Sequence, residues 1–186
     1  WARTQNNLGI AYSDLPTGDR GENLHNAIAC YHAAQKAIEK AKAHGICCVG
    51  VNNTYYSGRN AYFVEQVVKH GLVCMHTASN KPRVAPPGAA KPALGTNPIC
   101  IAFPSDLPGP VCIDMATSAV ANGKIAVARA RKQEIPLGWA LDKDGKPTTD
   151  PNAFFSGGAI LPLGGPEGHK GYGLSFAVET LASLLP

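Results

Sequence analysis

The chain has 186 residues, 45% of them apolar and 16% charged, and a formal net charge of +4. Such a composition fits one α/β domain, or one domain with an attached piece, with enough length to bury a core. It excludes a basic nucleic-acid footprint, because the densest basic run, Arg129 to Lys132, reads as a solvated helix end. No apolar segment approaches the roughly 20 residues that span a bilayer, and no signal peptide opens the chain, so the expectation is a cytoplasmic protein with no membrane partner.

In chain order, Leu8, Ala11, Tyr12 and Leu15 share one face of a helix over residues 1 to 15, which Pro16-Thr17-Gly18-Asp19 breaks. Leu24, Ala27, Ile28, Tyr31, Ile38 and Ala41 then mark a helix from about 22 to 43, stopped by Gly45. The two form a helical hairpin. Beyond it the texture changes to short apolar runs alternating with helical stretches. The pattern predicts a strand over 46–51, a helix over 59–70 ending at Gly71, and strands over 72–77, 99–103 and 111–115. Helices follow over 118–132 and 170–185. Residues 80–98 read as loop, 104–110 as a tight connection, and Asp142-Lys143-Asp144-Gly145 as a turn within a Gly/Pro-rich stretch, 138–166. The last helix stays apolar through Leu184-Leu185-Pro186, so the chain reads as cut rather than completed.

The six cysteines contain no C-x-x-C pair. Cys47, Cys48, Cys74, Cys100 and Cys112 lie in strand-like runs and Cys30 on a helical stripe; adjacent Cys47 and Cys48 point to opposite faces of a strand, which builds no metal site. Free thiols in a reducing compartment, and no metal, are the expectation.

Three stretches carry candidate chemistry. VNNTYYSG, residues 51–58, opens polar groups at the end of a predicted strand, where sites tend to sit. Asp114-Met115-Ala116-Thr117-Ser118 joins a strand end to a helix start, with Thr117 or Ser118 placed to cap the helix; simple capping is the alternative to a binding role. His169-Lys170-Gly171, after a glycine-rich lead-in, puts an imidazole, an ammonium and helix N–H groups toward one anion, the alternative being a turn with a solvated lysine.

Two resemblances follow from motifs. Trp1-Ala2, Thr4-Gln5-Asn6-Asn7-Leu8-Gly9, Ala11-Tyr12, Gly18-Asp19-Arg20, Ala27-Ile28 and Tyr31 resemble one tetratricopeptide repeat over residues 1–34. A lone repeat cannot bury its own face, so it is either packed on the rest of the chain or left from an array. The remainder, residues 35–186, resembles the malate/L-lactate dehydrogenase family of NAD(P)-dependent 2-oxo acid reductases. Its motifs come in order: Gly95-Thr96-Asn97-Pro98, Asp114 to Ser118, Pro136 with Gly138-Trp139-Ala140-Leu141-Asp142, Pro147-Thr148-Thr149-Asp150-Pro151, Leu161-Pro162-Leu163-Gly164-Gly165, and His169-Lys170-Gly171-Tyr172-Gly173.

The resemblance implies an α/β domain that is not of the Rossmann type, here incomplete and preceded by the hairpin; the sequence agrees in having no Gly-x-Gly-x-x-Gly between a strand and a helix. It implies a homodimer using NAD or NADP to move a hydride to or from a small 2-oxo or 2-hydroxy acid. Ser79, Asp114, Met115, Ala116, Thr117, Ser118, His169, Lys170 and Gly171 are then cofactor-site residues, and Thr96 and Asn97 shape the wall. Matching Val51 and Gly58 to the family's Ser-Asn-His-Phe-Gly type run puts Thr54 at the serine and Tyr56 at the proton-handling histidine, with Tyr55 a wall residue. A phenol, with its ordinary pKa near 10, needs a strong perturbation to serve there, and a hydrogen-bonding or packing role for Tyr56 is the alternative. The family's N-terminal Ser-His-Gly motif and substrate arginine are not found, and His25 and His32 do not match them; nor is the final third of the family domain. The rival reading is a repeat-bearing interaction module on a catalytically dead dehydrogenase-like scaffold.

Overall fold

The computed structural model describes residues 20–51 and 59–184. The expected helix over 1–15, its turn, Thr54, Tyr55 and Tyr56 lie outside the described residues. The elements are α1 (Arg20–His44), α2 (Asn60–Val68), β1 (Cys74–Thr77), β2 (Ile99–Phe103), β3 (Val111–Met115), α3 (Asn122–Ala130), β4 (Ala140–Leu141), β5 (Pro147–Thr148), α4 (Pro151–Phe155), β6 (Ala159–Ile160) and α5 (Gly168–Glu179), which runs on as a π-helical turn, Thr180–Leu184. Among the described residues no helix is long and apolar enough to cross a membrane, and no group of three or more His, Cys, Asp and Glu is placed to hold a metal. The chain divides into two compact units, one of residues up to His76 with Cys100–Ile113, the other of Thr77–Ile99 with Asp114–Leu185.

In the first unit, α2 has the sequence NAYFVEQVV, whose apolar residues recur three and four apart, so Ala61, Val64 and Val68 share a face. That face packs on Cys100 and Ala102 of β2, with Cys74 and Cys112 of the flanking strands against it. Phe63, on the next row, stacks on the His76 ring at 5.5 Å. Gly71 ends the segment at φ 74, its N–H donating to Val68 O, because a glycine takes the left-handed turn without a Cβ penalty. The sheet order is β1-β2-β3, and the 104–110 connection is too short for the crossover that parallel neighbours need. Alternation along the strands turns Met75, Phe103, Val111 and Ile113 away from α2, and these stay 39–56% exposed.

One expected element of this unit is not formed. Residues 46–51 make no strand, and Ile46 is 83% exposed. An apolar run becomes a strand only where a neighbour accepts its hydrogen-bond ladder, and Gly45, at φ 83 after α1, releases this run where no described strand pairs with it.

The second unit gathers Val84, Val120, Ile125, Ile135, Ala140, Phe154 and Ile160 into one core. Its small sheet, in the order β5-β4-β6, pairs Ala140 with Thr148 and Ile160, antiparallel on both sides. The β4–β5 turn forms where expected, with Asp142 Oδ1 accepting from the N–H groups of Asp144 and Lys146, each at 2.9 Å. Asp150 caps α4 by accepting from Asn152 N at 2.8 Å, and Pro151 occupies the first helical position.

Ile125 is fully buried in this core, so Ile125→Ala should cost about 2–5 kcal/mol in urea unfolding. Ile113→Ala, at a side chain 49% exposed, should cost well under half of that.

Candidate functional site

The motif segments, far apart in sequence, meet in the second unit through hydrogen bonds to one another. At the centre is Thr117, fully buried. Its N–H donates to Thr96 O at 3.0 Å, its hydroxyl donates to Asn97 O at 2.9 Å, and its carbonyl accepts from Leu163 N at 3.1 Å. Ser118 pairs with Pro162 in an antiparallel bridge, and Ala119 N donates to Leu161 O at 2.8 Å. The segment after β3 is thus a short ladder between the Gly95–Pro98 loop and the Leu161–Gly165 lead into α5.

This geometry corrects the capping expectation. The helix after β3 starts at Asn122, its N-cap is Ala121, and no side chain caps it. The Thr117 hydroxyl goes to the 96–97 loop and the Ser118 hydroxyl to Val120 O at 2.8 Å. The Thr117 hydroxyl has a tertiary partner and the Ser118 hydroxyl one two residues on, and both residues are buried, where a donor without an acceptor costs about 1–3 kcal/mol.

Asn97 ties the same loop to α5. Its side-chain N–H groups donate to Ser175 O at 3.2 Å and to Glu179 Oε2 at 2.8 Å. Its backbone sits at φ 35, a left-handed conformation that asparagine tolerates better than most residues. Asn97 Oδ1 and Ser175 Oγ are buried with no hydrogen-bond partner among the described residues. On the other side of the loop, Thr96 N donates to Asn80 Oδ1 at 3.0 Å, and Asn80 Nδ2 donates to Thr96 Oγ1 at 3.1 Å. Gly95 is required here: a Cβ would lie 2.4 Å from Asn80 Oδ1 and 2.5 Å from Asn97 Oδ1. Ser79 shares a hydroxyl–hydroxyl hydrogen bond with Ser183, just past α5.

At the other end of α5 the helix begins at Gly168, so His169 and Lys170 lie inside its first turn rather than ahead of it. No side chain caps this turn; a 3-10 turn, Gly165–Glu167, leads directly into it, with Gly168 N donating to Gly165 O, and the Lys170 ammonium stands at the positive end of the helix. Lys170 is 71% exposed and lies 3.3 Å from Glu167 Oε2, with His169 Nε2 at 3.8 Å from the same oxygen. Gly171 faces inward: a Cβ there would stand 2.1 Å from Leu163 O, so glycine lets the helix lie against its own lead-in.

The structure therefore brings Ser79, Thr96, Asn97, Thr117, Ser118 and Gly171 into one network and leaves His169 and Lys170 exposed at the start of α5. Asp114 is exposed near the end of β3, with Met115 and Ala116 half-buried after it. Sequence reasoning missed Asn80, Ser175 and Glu179. Asn80 had a signal, as the neighbour of Ser79; Ser175 follows Gly171 by four residues on the same helical face, and Glu179 is one turn further.

The sequence profile of the malate/L-lactate dehydrogenases matches residues 20–186. The chain belongs to the malate/L-lactate dehydrogenase family. The malate/(S)-sulfolactate dehydrogenase of Methanothermus fervidus is 42% identical over 165 residues, covering 89% of this chain and 47% of that protein. The ureidoglycolate dehydrogenase (NAD(+)) of Escherichia coli K12 is 37% identical over 164 residues, covering 88% and 45%. Among solved structures, malate dehydrogenase from Entamoeba histolytica superposes with a TM-score of 0.79 at 32% identity, over 87% of this chain and 46% of that one. The delta1-piperideine-2-carboxylate reductase from Pseudomonas syringae gives 0.78 at 36% identity, over 84% and 46%. The chain spans about half the length of the curated relatives it matches. The family match starts at Arg20, so all of α1, read from sequence as partly a repeat helix, lies inside it.

Gly171→Ala should lower stability by roughly 1–3 kcal/mol, since its methyl group meets backbone that cannot swing aside. Gly173→Ala, two residues on in the same helix and with nothing within 4 Å of its Cβ, should instead gain about 0.5–1 kcal/mol. Thermal unfolding of the two variants checks the opposite signs.

Proposed function

We propose that this protein is an NAD(P)-dependent oxidoreductase acting on a small carboxylic acid that carries a carbonyl, or the corresponding hydroxyl, at its second carbon. The observation that carries the reading is the convergence of the Gly95–Pro98, Asp114–Ser118 and Leu161–Gly171 segments on Thr117. The relatives' names point the same way: malate and sulfolactate are 2-hydroxy acids, and the Escherichia coli relative is named for NAD(+).

The donor set at the start of α5 suits the pyrophosphate of a dinucleotide. The exposed Lys170 ammonium stands in the first turn, at the positive end of the helix, and the buried side of the helix is fixed by Gly171 and Ser175. An anion arriving there displaces Glu167 from Lys170. That exchange is favourable, because an exposed ion pair is worth about 0–1 kcal/mol whereas a hydrogen bond to a charged group contributes about 1.5–3 kcal/mol. Ser79, with Asp114, Met115 and Ala116, lines the remainder of the cofactor site in this reading, and Thr96 and Asn97 form its wall. The bound nicotinamide supplies the hydride chemistry, while the chain's own residues bind and orient. Tyr56, which aligns with the family's histidine, is the candidate for proton transfer to the substrate oxygen, and Thr54 aligns with the family's serine. We take the protein to be a cytoplasmic homodimer: its thiols outside disulfides suit a reducing compartment, and Met75, Phe103, Val111 and Ile113 offer apolar surface of the kind a partner subunit covers.

Titration of NADH and NADPH by fluorescence tests the reading, with binding of one or both expected below millimolar concentration. No binding of either at millimolar concentration would sink it and leave the rival, an interaction module on an inactive scaffold. Lys170→Ala should weaken the binding roughly 10-fold or more, and Glu167→Gln, which frees the ammonium, should weaken none of it. Equal affinities of Lys170→Ala and the parent would remove Lys170 from the site.

A further inference from the structure

Three thiols lie on the face of the first sheet that packs under α2: Cys74 on β1, Cys100 on β2 and Cys112 on β3. Two of them touch. Cys100 Sγ and Cys112 Sγ are 3.6 Å apart, across neighbouring strands. Cys100 is fully buried and Cys112 half-buried, so Cys112 is the more accessible residue of the pair and Cys100 lies behind it. A reactive thiol with a resolving thiol beside it is the arrangement that converts a one-sulfur oxidation into a reversible disulfide.

We propose that Cys100 and Cys112 are a modification site, a dithiol that a hydroperoxide converts to a cross-strand disulfide. The half-buried Cys112 reacts first. Its thiolate attacks the peroxide oxygen, the O–O bond breaks, and Cys112 becomes a sulfenic acid as the other oxygen leaves as hydroxide and takes up a proton. The Cys100 sulfur then attacks the sulfenic sulfur, the S–O bond breaks, and a second water leaves with the Cys100 proton. Two thiols have lost two hydrogens and one peroxide has become two waters. The sulfurs must close from 3.6 Å to the ~2.05 Å of a disulfide, a change of the size side-chain rotation on adjacent strands supplies. Cys74, in the same cluster, is the weaker candidate: burial raises its pKa and keeps it a thiol. The bond would tie β2 to β3 two residues ahead of Asp114, and the inference stands whether or not the protein binds a nucleotide.

Hydrogen peroxide treatment of the folded protein, followed by digestion before aspartates without reductant, tests it by mass spectrometry. Combining that cleavage with trypsin releases Asp106–Ile113, which carries Cys112, and Val84–Ser105, whose single cysteine is Cys100. The expected product is that peptide joined to the one carrying Cys100, parted again by dithiothreitol and formed equally in Cys74→Ser. In Cys100→Ser, with the resolving sulfur removed, Cys112 should accumulate as a sulfenic acid that dimedone traps. Linkage of Cys112 to any other cysteine, or a parent protein in which Cys112 only gains oxygen while Cys100 stays alkylatable, would overturn the proposal.

Discussion

The second unit depends on the burial of one threonine. Thr117 engages Thr96, Asn97 and Leu163 through its N–H, hydroxyl and carbonyl, the hydroxyl shared between the carbonyls of Thr96 and Asn97. A buried polar group left unpaired costs more than a paired one contributes, so the three partner segments are fixed as a set. Moving the 95–98 loop would orphan the hydroxyl, and moving the 161–163 segment would orphan the carbonyl. The position of α5 follows, because Leu163 is also the residue whose carbonyl lies against Gly171.

Asn97 shows what this constraint sustains. It precedes a proline, which disfavours the helical region for the residue before it, and it nevertheless sits at φ 35. A conformation of that kind costs of order 1–3 kcal/mol and persists only where the surroundings over-determine it. Here the surroundings are the Thr117 hydroxyl on its carbonyl and the Ser175 carbonyl and Glu179 carboxylate on its amide. Glycine at 95 belongs to the same arrangement, since only a residue without a Cβ lets the Asn80 and Asn97 side chains approach from both sides.

What the sequence disclosed divides along a physical line. The runs ICIAF and VCIDM were legible to the residue as strands, because an apolar β-rich run between Pro/Gly-rich connections has one good conformation. The helix α2 was legible from its three-and-four spacing, to within two residues at either end. Residues 46–51 have the same local texture as those strands and form none, because strand formation is settled by a partner that composition cannot reveal. The short elements of 138–166 were also hidden: two-residue strands such as Ala140–Leu141 carry no period, and only the Asp142–Gly145 turn between them left a signal. At the site, motif order identified the segments, yet it assigned Thr117 and Ser118 to a helix cap. The spacing to the next helix did not show that the Thr117 hydroxyl goes to the 96–97 loop and the Ser118 hydroxyl to Val120 O.

The same line separates architecture from chemistry within the motifs. Thr117, Ser118, Asn97 and Gly171 are buried, and those with polar side chains already engage protein partners, so their role is to hold backbone in place. His169 and Lys170, one and two residues into a helix anchored by that framework, are exposed and held only by a surface carboxylate. An exposed ion pair is cheap to exchange, whereas the buried network is not. A ligand arriving at α5 would therefore find side chains that move at little cost on a helix held by buried hydrogen bonds.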